Sequence, residues 1–255
     1  SPEQAKGKNL LDFVYTPEGT ADLSVKLLRE KLQQYEQDRG AITFRSLFSL
    51  PLTREPKEMQ VSLEYISIDG KDEIFGKLVS VQEDALIRYF EFEKQRFAIG
   101  NHLSASEDIT YRITRNLTKF MDAGDISMLR LALREIIINA IEHGNLDISY
   151  EEKTEALMND CYFDLLAERQ KHPEYGMRTV DITYAIDGDK AVYRVRDQGK
   201  GFDYRRVIDN NSADANAAGH AHGRGVSMAK NIFDQIRYNS TGNTVLLVKR
   251  FRKTA

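Results

Sequence analysis

The sequence predicts an α+β protein, in which helices cover one face of a mixed, mostly antiparallel sheet as a two-layer α/β sandwich. One observation is a set of apolar residues at helical spacing across 129–141. A second is the period-two alternation of Ala191, Tyr193 and Val195, and a third is a glycine-bearing segment at 222–225 that opens another helical pattern. Strands of the sheet are expected near positions 97, 182, 192, 236 and 246.

A smaller α+β module is predicted for residues 1–82. A helical pattern runs over 22–32, and Val61, Leu63 and Tyr65 alternate as in a strand with one covered face. The strand-like runs of this module are 41–49, 59–68 and 74–81. The pair Asp69-Gly70 between the last two runs is typical of a tight hairpin turn.

Residues 83–95 are predicted to form a connecting helix, because apolar residues such as Leu86, Tyr89 and Phe90 are mixed with charges. Two roles stay open for it, namely pairing with a second chain as a short coiled coil or packing against its own domain. The second domain is expected over 96–255. It begins with a short strand and then a helix that Ser104 or Ser106 would cap.

The helix across 129–141 carries polar residues on one stripe. Glu135, Asn139 and Glu142 are spaced to lie together, with apolar residues on the opposite flank. An amide and a carboxylate one turn apart offer oxygen ligands to a divalent cation and a base that accepts a proton. An ordinary amphipathic helix gives the same pattern, so this helix alone does not decide between the two interpretations.

Two glycine-containing segments favour a nucleotide site. Asp197 ends the predicted strand and is followed by Gly199 and Gly201, so a buried acid would lie beside backbone that a flat ring can approach. Gly223 and Gly225 flank Arg224 at a predicted helix start, where unpaired N–H groups attract phosphate. A simple turn and a simple helix cap are the alternatives.

Composition limits the function. The net charge of −3, from 36 basic and 39 acidic residues, gives no general basic field, so we do not expect nucleic acid as a direct partner. The single cysteine excludes an internal disulfide and fits the reducing cytoplasm, where we expect the protein. No apolar run approaches the roughly 20 residues of a membrane span, although an anchor upstream of Ser1 stays open.

Taken in order, the three segments Glu-x-x-x-Asn, Asp-x-Gly-x-Gly and Gly-x-Gly resemble the three boxes of the Bergerat-fold (GHKL) ATPases, which include gyrase, Hsp90 and histidine kinases. The amino-acid sequence of residues 139–145 and 238–250 is most similar to that of the anti-sigma-factor branch of serine/threonine kinases. The resemblance covers roughly residues 95–252.

This resemblance implies a role for each matching residue. Glu135 would be the general base towards a substrate hydroxyl, and Asn139 the ligand of Mg²⁺. Asp197 would read the adenine of ATP. Further nucleotide-binding residues implied by the resemblance are Gly199 and Gly201 beside the base, Gly223, Arg224 and Gly225 in a mobile lid, Thr244 at the adenine, and His143 near the phosphates. His143 as a simple helix cap is the alternative.

The resemblance also implies partners: ATP, an antagonist protein that accepts phosphate on serine or threonine, a sigma factor, and a second copy of the chain as a homodimer. Residues 1–82 resemble the C-terminal half of a PAS sensor domain, whose early strands are not in the sequence. The incomplete sheet would then enclose a smaller pocket or pair with another chain.

Two other functions stay open. The chain could be the ATPase domain of a sensor histidine kinase whose phosphoacceptor lies elsewhere. Against this, His102 lies near a predicted strand end and not on a long exposed helix, which argues for transfer to serine or threonine of a separate protein. It could instead be a switch without chemistry, in which ATP only orders the lid and so controls the binding of a partner.

Overall fold

The computed structural model of the protein describes residues 7–15, 32, 35, 41–49, 56–68, 71–80, 86–202 and 224–252. The chain divides into two compact units. The first comprises residues 1–85 with 122–127, and the second comprises 86–121 with 128–255.

The first unit contains a three-stranded antiparallel sheet in the order β1-β2-β3. Its strands are β1 (Ile42–Phe48), β2 (Lys57–Ile68) and β3 (Lys71–Ser80), in agreement with the predicted runs. One face of β1 and β2 packs with Val14 and Tyr35 into a small core. The predicted turn at 69–70 lies outside the described residues, as does the helix over 22–32 except for Leu32, which is helical.

The second unit contains a five-stranded sheet in the order β4-β5-β6-β8-β7. The strands are β4 (Glu93–Ile99), β5 (Val180–Ile186), β6 (Lys190–Arg196), β7 (Gln235–Tyr238) and β8 (Thr244–Arg250), so a strand is present at each of the five predicted positions. Every pair among these described strands is antiparallel. The parallel pairing that a mixed sheet requires does not occur among them.

Helices form the second layer of this unit, which makes it an α/β sandwich with an antiparallel sheet. They are α1 (Leu103–Thr114), α2 (Ala123–Asn139), α3 (Tyr150–Met158), α4 (Tyr162–Lys171) and α5 (Arg224–Ile232). Alternate residues of β5 and β6 are buried, as one face of a covered sheet requires. Arg112 of α1 ties this layer to the sheet by donating to Glu93, Gln95 and the hydroxyl of Tyr184.

The connecting helix predicted over 83–95 is wrong for the part that the structure describes. Residues Ile87–Tyr89 form a 3₁₀ turn, and β4 already begins at Glu93. The aromatic residues there are compatible with a helix or a strand. The antiparallel pairing with β5 makes residues 93–99 a strand. The helix that follows begins after His102, so Ser104 and Ser106 lie within α1 and do not cap it.

The described helices include none that combines the length and the apolar character needed to cross a membrane.

Candidate nucleotide-binding site

Helix α2 carries the two residues predicted to bind the metal and to accept the proton. Glu135 and Asn139 lie one turn apart, and both are half-buried. The α-helix ends at Asn139 and continues directly as a π-helical turn, Ala140–Asn145. The N–H of Leu146 donates to the carbonyl of Ile141, five residues earlier, at 2.8 Å. Asn139 therefore lies where the helix widens, a feature that is frequent at functional sites.

Glu142, which was predicted to share a stripe with Glu135 and Asn139, is bound by side chains of α3 and α4. Its side chain is 1% exposed. Its Oε2 accepts a hydrogen bond from Lys153 Nζ at 2.5 Å, and its Oε1 accepts one from the hydroxyl of Tyr162. The wider π turn rotates the residues that follow Asn139 away from their α-helical positions.

The π turn packs directly against the loop that follows β6. A Cβ atom on Gly144 would fall 2.5 Å from Cγ of Asp197, and one on Gly199 would fall 2.2 Å from the carbonyl oxygen of Gly144. Only glycine fits at such distances. Gly144 follows Asn139 by five residues, so at roughly 1.5 Å of rise per residue the contact with Asp197 lies within about 8 Å of Asn139 along the helix. The structure thus brings two of the three predicted segments together.

Asp197 has the environment of a ligand-reading acid. It is half-buried, and its Oδ1 accepts a hydrogen bond from the N–H of Gly199 at 2.8 Å. Burial raises the pKa of the Asp197 carboxyl above its ordinary value, although the N–H of Gly199 and the charges of Arg178 and Arg196 act in the opposite direction. With Oδ1 engaged, Oδ2 is the oxygen that can accept from the amine of a ligand.

A buried amide network fixes the residue after Asp197. Asn145 is 0% exposed, and its Oδ1 accepts from the N–H of Gln198 at 2.9 Å while its Nδ2 donates to Oδ1 of Asn101 at 2.8 Å. Asn101 in turn donates to the carbonyls of Tyr175 and Arg178. The side chain of Asn145 therefore holds the end of the π turn to the loop after β6.

Sequence reasoning missed Asn101 and Gln198. They lie 44 and 53 residues from Asn145 along the chain, and no local pattern links such distant positions. Only the topology of the sheet, which brings the end of β4 and the end of β6 to the end of the π turn, makes them neighbours.

The glycine loop after Asp197 also rests on the turn between β7 and β8. Gly201 has a φ of +76°, and a Cβ atom there would fall 1.8 Å from the carbonyl oxygen of Thr241. The N–H of Asp197 donates to the carbonyl of Asn243 at 3.1 Å. Gly199 and Gly201 are thus required by packing against the protein itself, in addition to the proposed approach of a base.

Thr244 lies at the start of β8 and pairs with Arg196, the residue before Asp197. Paired residues share a face of the sheet. Because the neighbouring pair Val195 and Val245 is buried, Thr244 and Arg196 lie on the other face. The contact of Thr244 with adenine stays a prediction.

His143 is held by the turn beyond the π helix. Its Nδ1 lies 2.6 Å from the carbonyl oxygen of Ile148, to which it donates, and its ring stacks obliquely on Tyr150 at 3.9 Å. Ile148 lies beyond the end of the π helix, so this bond does not cap the helix, and the contact of His143 with phosphates stays a prediction.

The third predicted segment is described only in part. Gly223 lies outside the described residues, whereas the backbone of Arg224 and Gly225 forms the first turn of α5. The first N–H groups of a helix have no partner within the helix, so this start is suited to phosphate.

The side chains present fit a magnesium nucleotide. The amide oxygen of Asn139 and the carboxylate of Glu135 are hard oxygen ligands of the kind that Mg²⁺ prefers. No three His, Cys, Asp or Glu side chains within the described ranges form a metal site of their own. A magnesium ion bound at Asn139 would complete its shell with phosphate and water oxygens.

These features define an α/β domain in which the loop of Asp197 packs against the π turn that follows α2. Residues 105–249 match the family of histidine kinase-like ATPase domains, and this match covers more than half of the 255 residues. The chain therefore belongs to that family, and membership implies ATP binding by a kinase-like ATPase. No curated protein matches the sequence.

Proposed function

We propose that the protein is a signalling kinase of the anti-sigma-factor type, which transfers the γ-phosphate of Mg-ATP to serine or threonine of an antagonist protein. The observation that carries the proposal is the packing of Gly144 against Asp197 and Gly199, because it brings Asp197, which we propose as the adenine-reading acid, beside the helix of Glu135 and Asn139. Glu135 and Asn139 match one box of the wider ATPase superfamily, and Asp197 and Gly199 match another. The sequence of residues 139–145 favours this branch.

The positions of the histidines support an acceptor on another protein. Among the described residues, His102 is the N-cap of α1, His143 lies in the π turn and His172 is the C-cap of α4. A phosphorylated histidine of the kind used by histidine kinases lies exposed within a long helix. None of these three positions meets that requirement.

In the proposed reaction, Glu135 accepts the proton of the acceptor hydroxyl while the hydroxyl oxygen forms a bond to the γ-phosphorus. The bond between that phosphorus and the bridging β,γ-oxygen breaks, and ADP leaves. Asn139 holds Mg²⁺, which offsets the charge of the phosphates. Asp197 accepts from the adenine amine, and Gly199 and Gly201 let the base lie against the backbone.

The remaining residues have supporting roles in this proposal. Gly223, Arg224 and Gly225 belong to the lid over the phosphates, where the N-terminus of α5 supplies N–H groups. Thr244 assists the adenine contact and His143 lies near the phosphates.

We further propose that residues 1–82 act as a PAS-like sensor and that the kinase domain spans 96–255. The three antiparallel strands and the small core of the first unit are compatible with half of such a sensor. Homodimerisation, a sigma factor as the final target and control of the kinase by the sensor complete the proposal.

The test is phosphotransfer to candidate antagonist-domain proteins from the same genome, followed by mass spectrometry after incubation with Mg-ATP. Acid-stable phosphoserine or phosphothreonine on one of them is the expected result. Acid-labile phosphohistidine would select the histidine kinase alternative. ATP-dependent binding with no ADP formed would select the switch without chemistry.

Replacement of Glu135 tests the base. Glu135→Gln keeps the size and polarity of the side chain but removes its basicity, so we expect the rate of phosphotransfer to fall about 100-fold to 10,000-fold while ATP still binds. Single-turnover kinetics measure the rate and calorimetry measures the ATP affinity. Glu168→Gln, at an exposed position of α4, is the control. Full phosphotransfer by Glu135→Gln would rule out this assignment.

A further inference from the structure

The hairpin formed by α3 and α4 ends in an exposed apolar surface. Leu157, Met158 and Phe163 are 49%, 79% and 56% exposed, and we call these three residues the hairpin tip. On its inner side, the same hairpin buries Ala156 and Leu166. The tip thus adds nothing to the core, and clustered exposed apolar side chains of this size are typical of interaction sites.

Charge around the tip is of one sign. Residues 155–164 contain Glu155, Asp160 and Asp164 but no lysine, arginine or histidine, and all three acids are exposed. Lys153, the nearest preceding base, is already paired with the buried Glu142. A partner that covers the tip must therefore present apolar side chains flanked by lysine or arginine, because like charges against these acids would repel it.

Side-chain contacts join the tip to the nucleotide-binding helix. The ring of Phe163 packs edge-on against Tyr162 at 5.3 Å, and the hydroxyl of Tyr162 donates to Glu142. Lys153 of α3 donates to the same carboxylate. Glu142 belongs to the π turn that follows Asn139 directly. Two side chains therefore separate a molecule docked on Phe163 from the π turn that directly follows the proposed magnesium ligand, Asn139.

We propose that the hairpin tip is the docking surface for the phosphoacceptor protein, which binds there through an apolar patch with a basic rim. This proposal rests on the proposed kinase function and names the partner class of the same site. Docking at the tip holds the acceptor close to the end of α2, so that its hydroxyl reaches the γ-phosphate in a unimolecular step.

The test compares the KM for the acceptor protein among tip variants of the full chain. Met158→Ser combined with Phe163→Ser, and separately Glu155→Lys at an exposed position of α3, should each raise that KM about tenfold or more, because central apolar anchors and complementary charge dominate interface affinity. The KM for ATP and the melting temperature should stay unchanged, since the tip is exposed and contributes nothing to the core. Met177→Ser is the matched control, because Met177 is 83% exposed but lies outside the hairpin.

An unchanged KM for the acceptor in both tip variants, or an equal rise in Met177→Ser, would overturn the docking proposal while leaving the kinase function intact. If the unaltered chain phosphorylates no candidate, the kinase function fails, and docking is then measured by calorimetry with the same proteins and a non-hydrolysable ATP analogue. Binding that the double variant loses supports the tip. The docking proposal is overturned if none of the proteins binds. It is also overturned if the main effect of the double variant is a loss of self-association of the chain.

Discussion

The candidate site contains a close contact between the backbone of two glycines and the side chain of one acid. Gly144, Asp197 and Gly199 come from two segments more than fifty positions apart and meet with no space for a Cβ atom on either glycine. The sequence predicted Asp197 and Gly199 as site residues and gave Gly144 no role. A glycine near the end of a helix pattern normally indicates a cap. That Gly144 must lack a Cβ atom follows only from the packing of two segments that are distant in the sequence.

A single methyl group at Gly144 tests this contact. Gly144→Ala would push against the carboxylate of Asp197, so we expect ATP affinity to fall at least about tenfold and the melting temperature to drop, as overpacking of a close contact costs about 1–3 kcal/mol. Gly100→Ala is the control, because a Cβ atom there meets nothing within 4 Å. Calorimetry and thermal unfolding measure the two effects. Equal behaviour of the two variants would contradict the close packing.

The raised pKa of Asp197 links the site to stability. The neutral acid favours the folded state, so its contribution is fully present below the ordinary pKa of 3.8 and is lost as pH rises through the raised folded pKa. At neutral pH the ionised Asp197 therefore destabilises the fold without ligand. Asp197→Asn keeps an oxygen for the N–H of Gly199 and removes the charge, so we expect a higher melting temperature at pH 7.

Thermal unfolding across the acid range measures this effect, and the difference between the chain and Asp197→Asn should shrink below pH 3.8. Asp108→Asn, at an exposed position of α1, is the control. A lower melting temperature for Asp197→Asn at pH 7 would show that the carboxylate is stabilised by its neighbours and not strained by burial.

At the scale of elements, the sequence predicts the helix of Glu135 and Asn139 but not its change of pitch. Helical spacing continues through Ile141, and nothing local indicates the π turn at Ala140–Asn145. The burial of Glu142 between Lys153 and Tyr162 is a contact with α3 and α4, elements that a helical pattern in one segment cannot reveal. Likewise, residues 93–95 looked helical because strand and helix patterns are hard to separate over so few positions.

Removal of Lys153 tests how far α3 supports the π turn. Lys153→Met would leave the carboxylate of Glu142 buried without its cation, so we expect the free energy of unfolding to fall by about 3–5 kcal/mol. Denaturant titration measures it. Lys171→Met, at an exposed position of α4, should cost far less, and adding Glu142→Gln to Lys153→Met should restore most of the loss. No loss in Lys153→Met would mean that the ion pair does not stabilise this turn.

At the scale of the whole molecule, a strand lies at each of the five predicted positions, whereas the order of the strands was not predicted. The pairing of β6 with β8, and of β4 with β5 across more than eighty residues, depends on long-range packing that spacing cannot encode. The same topology brings the ends of β4, β6 and the π turn together at Asn145. The candidate residues could thus be predicted from motifs. The contacts of Asn145 that position them could be found only from the fold.

In the proposed function, the loop of Asp197 and the end of α2 form one adenine-nucleotide site. A calorimetric titration of ATP into the chain and into Asp197→Asn tests it most directly. Loss of one hydrogen bond to a charged acceptor is worth about 1.5–3 kcal/mol, so we predict binding by the chain and binding roughly 10-fold to 150-fold weaker by Asp197→Asn. Equal affinity of the two proteins for ATP, or no binding by either, would contradict this assignment of the nucleotide site.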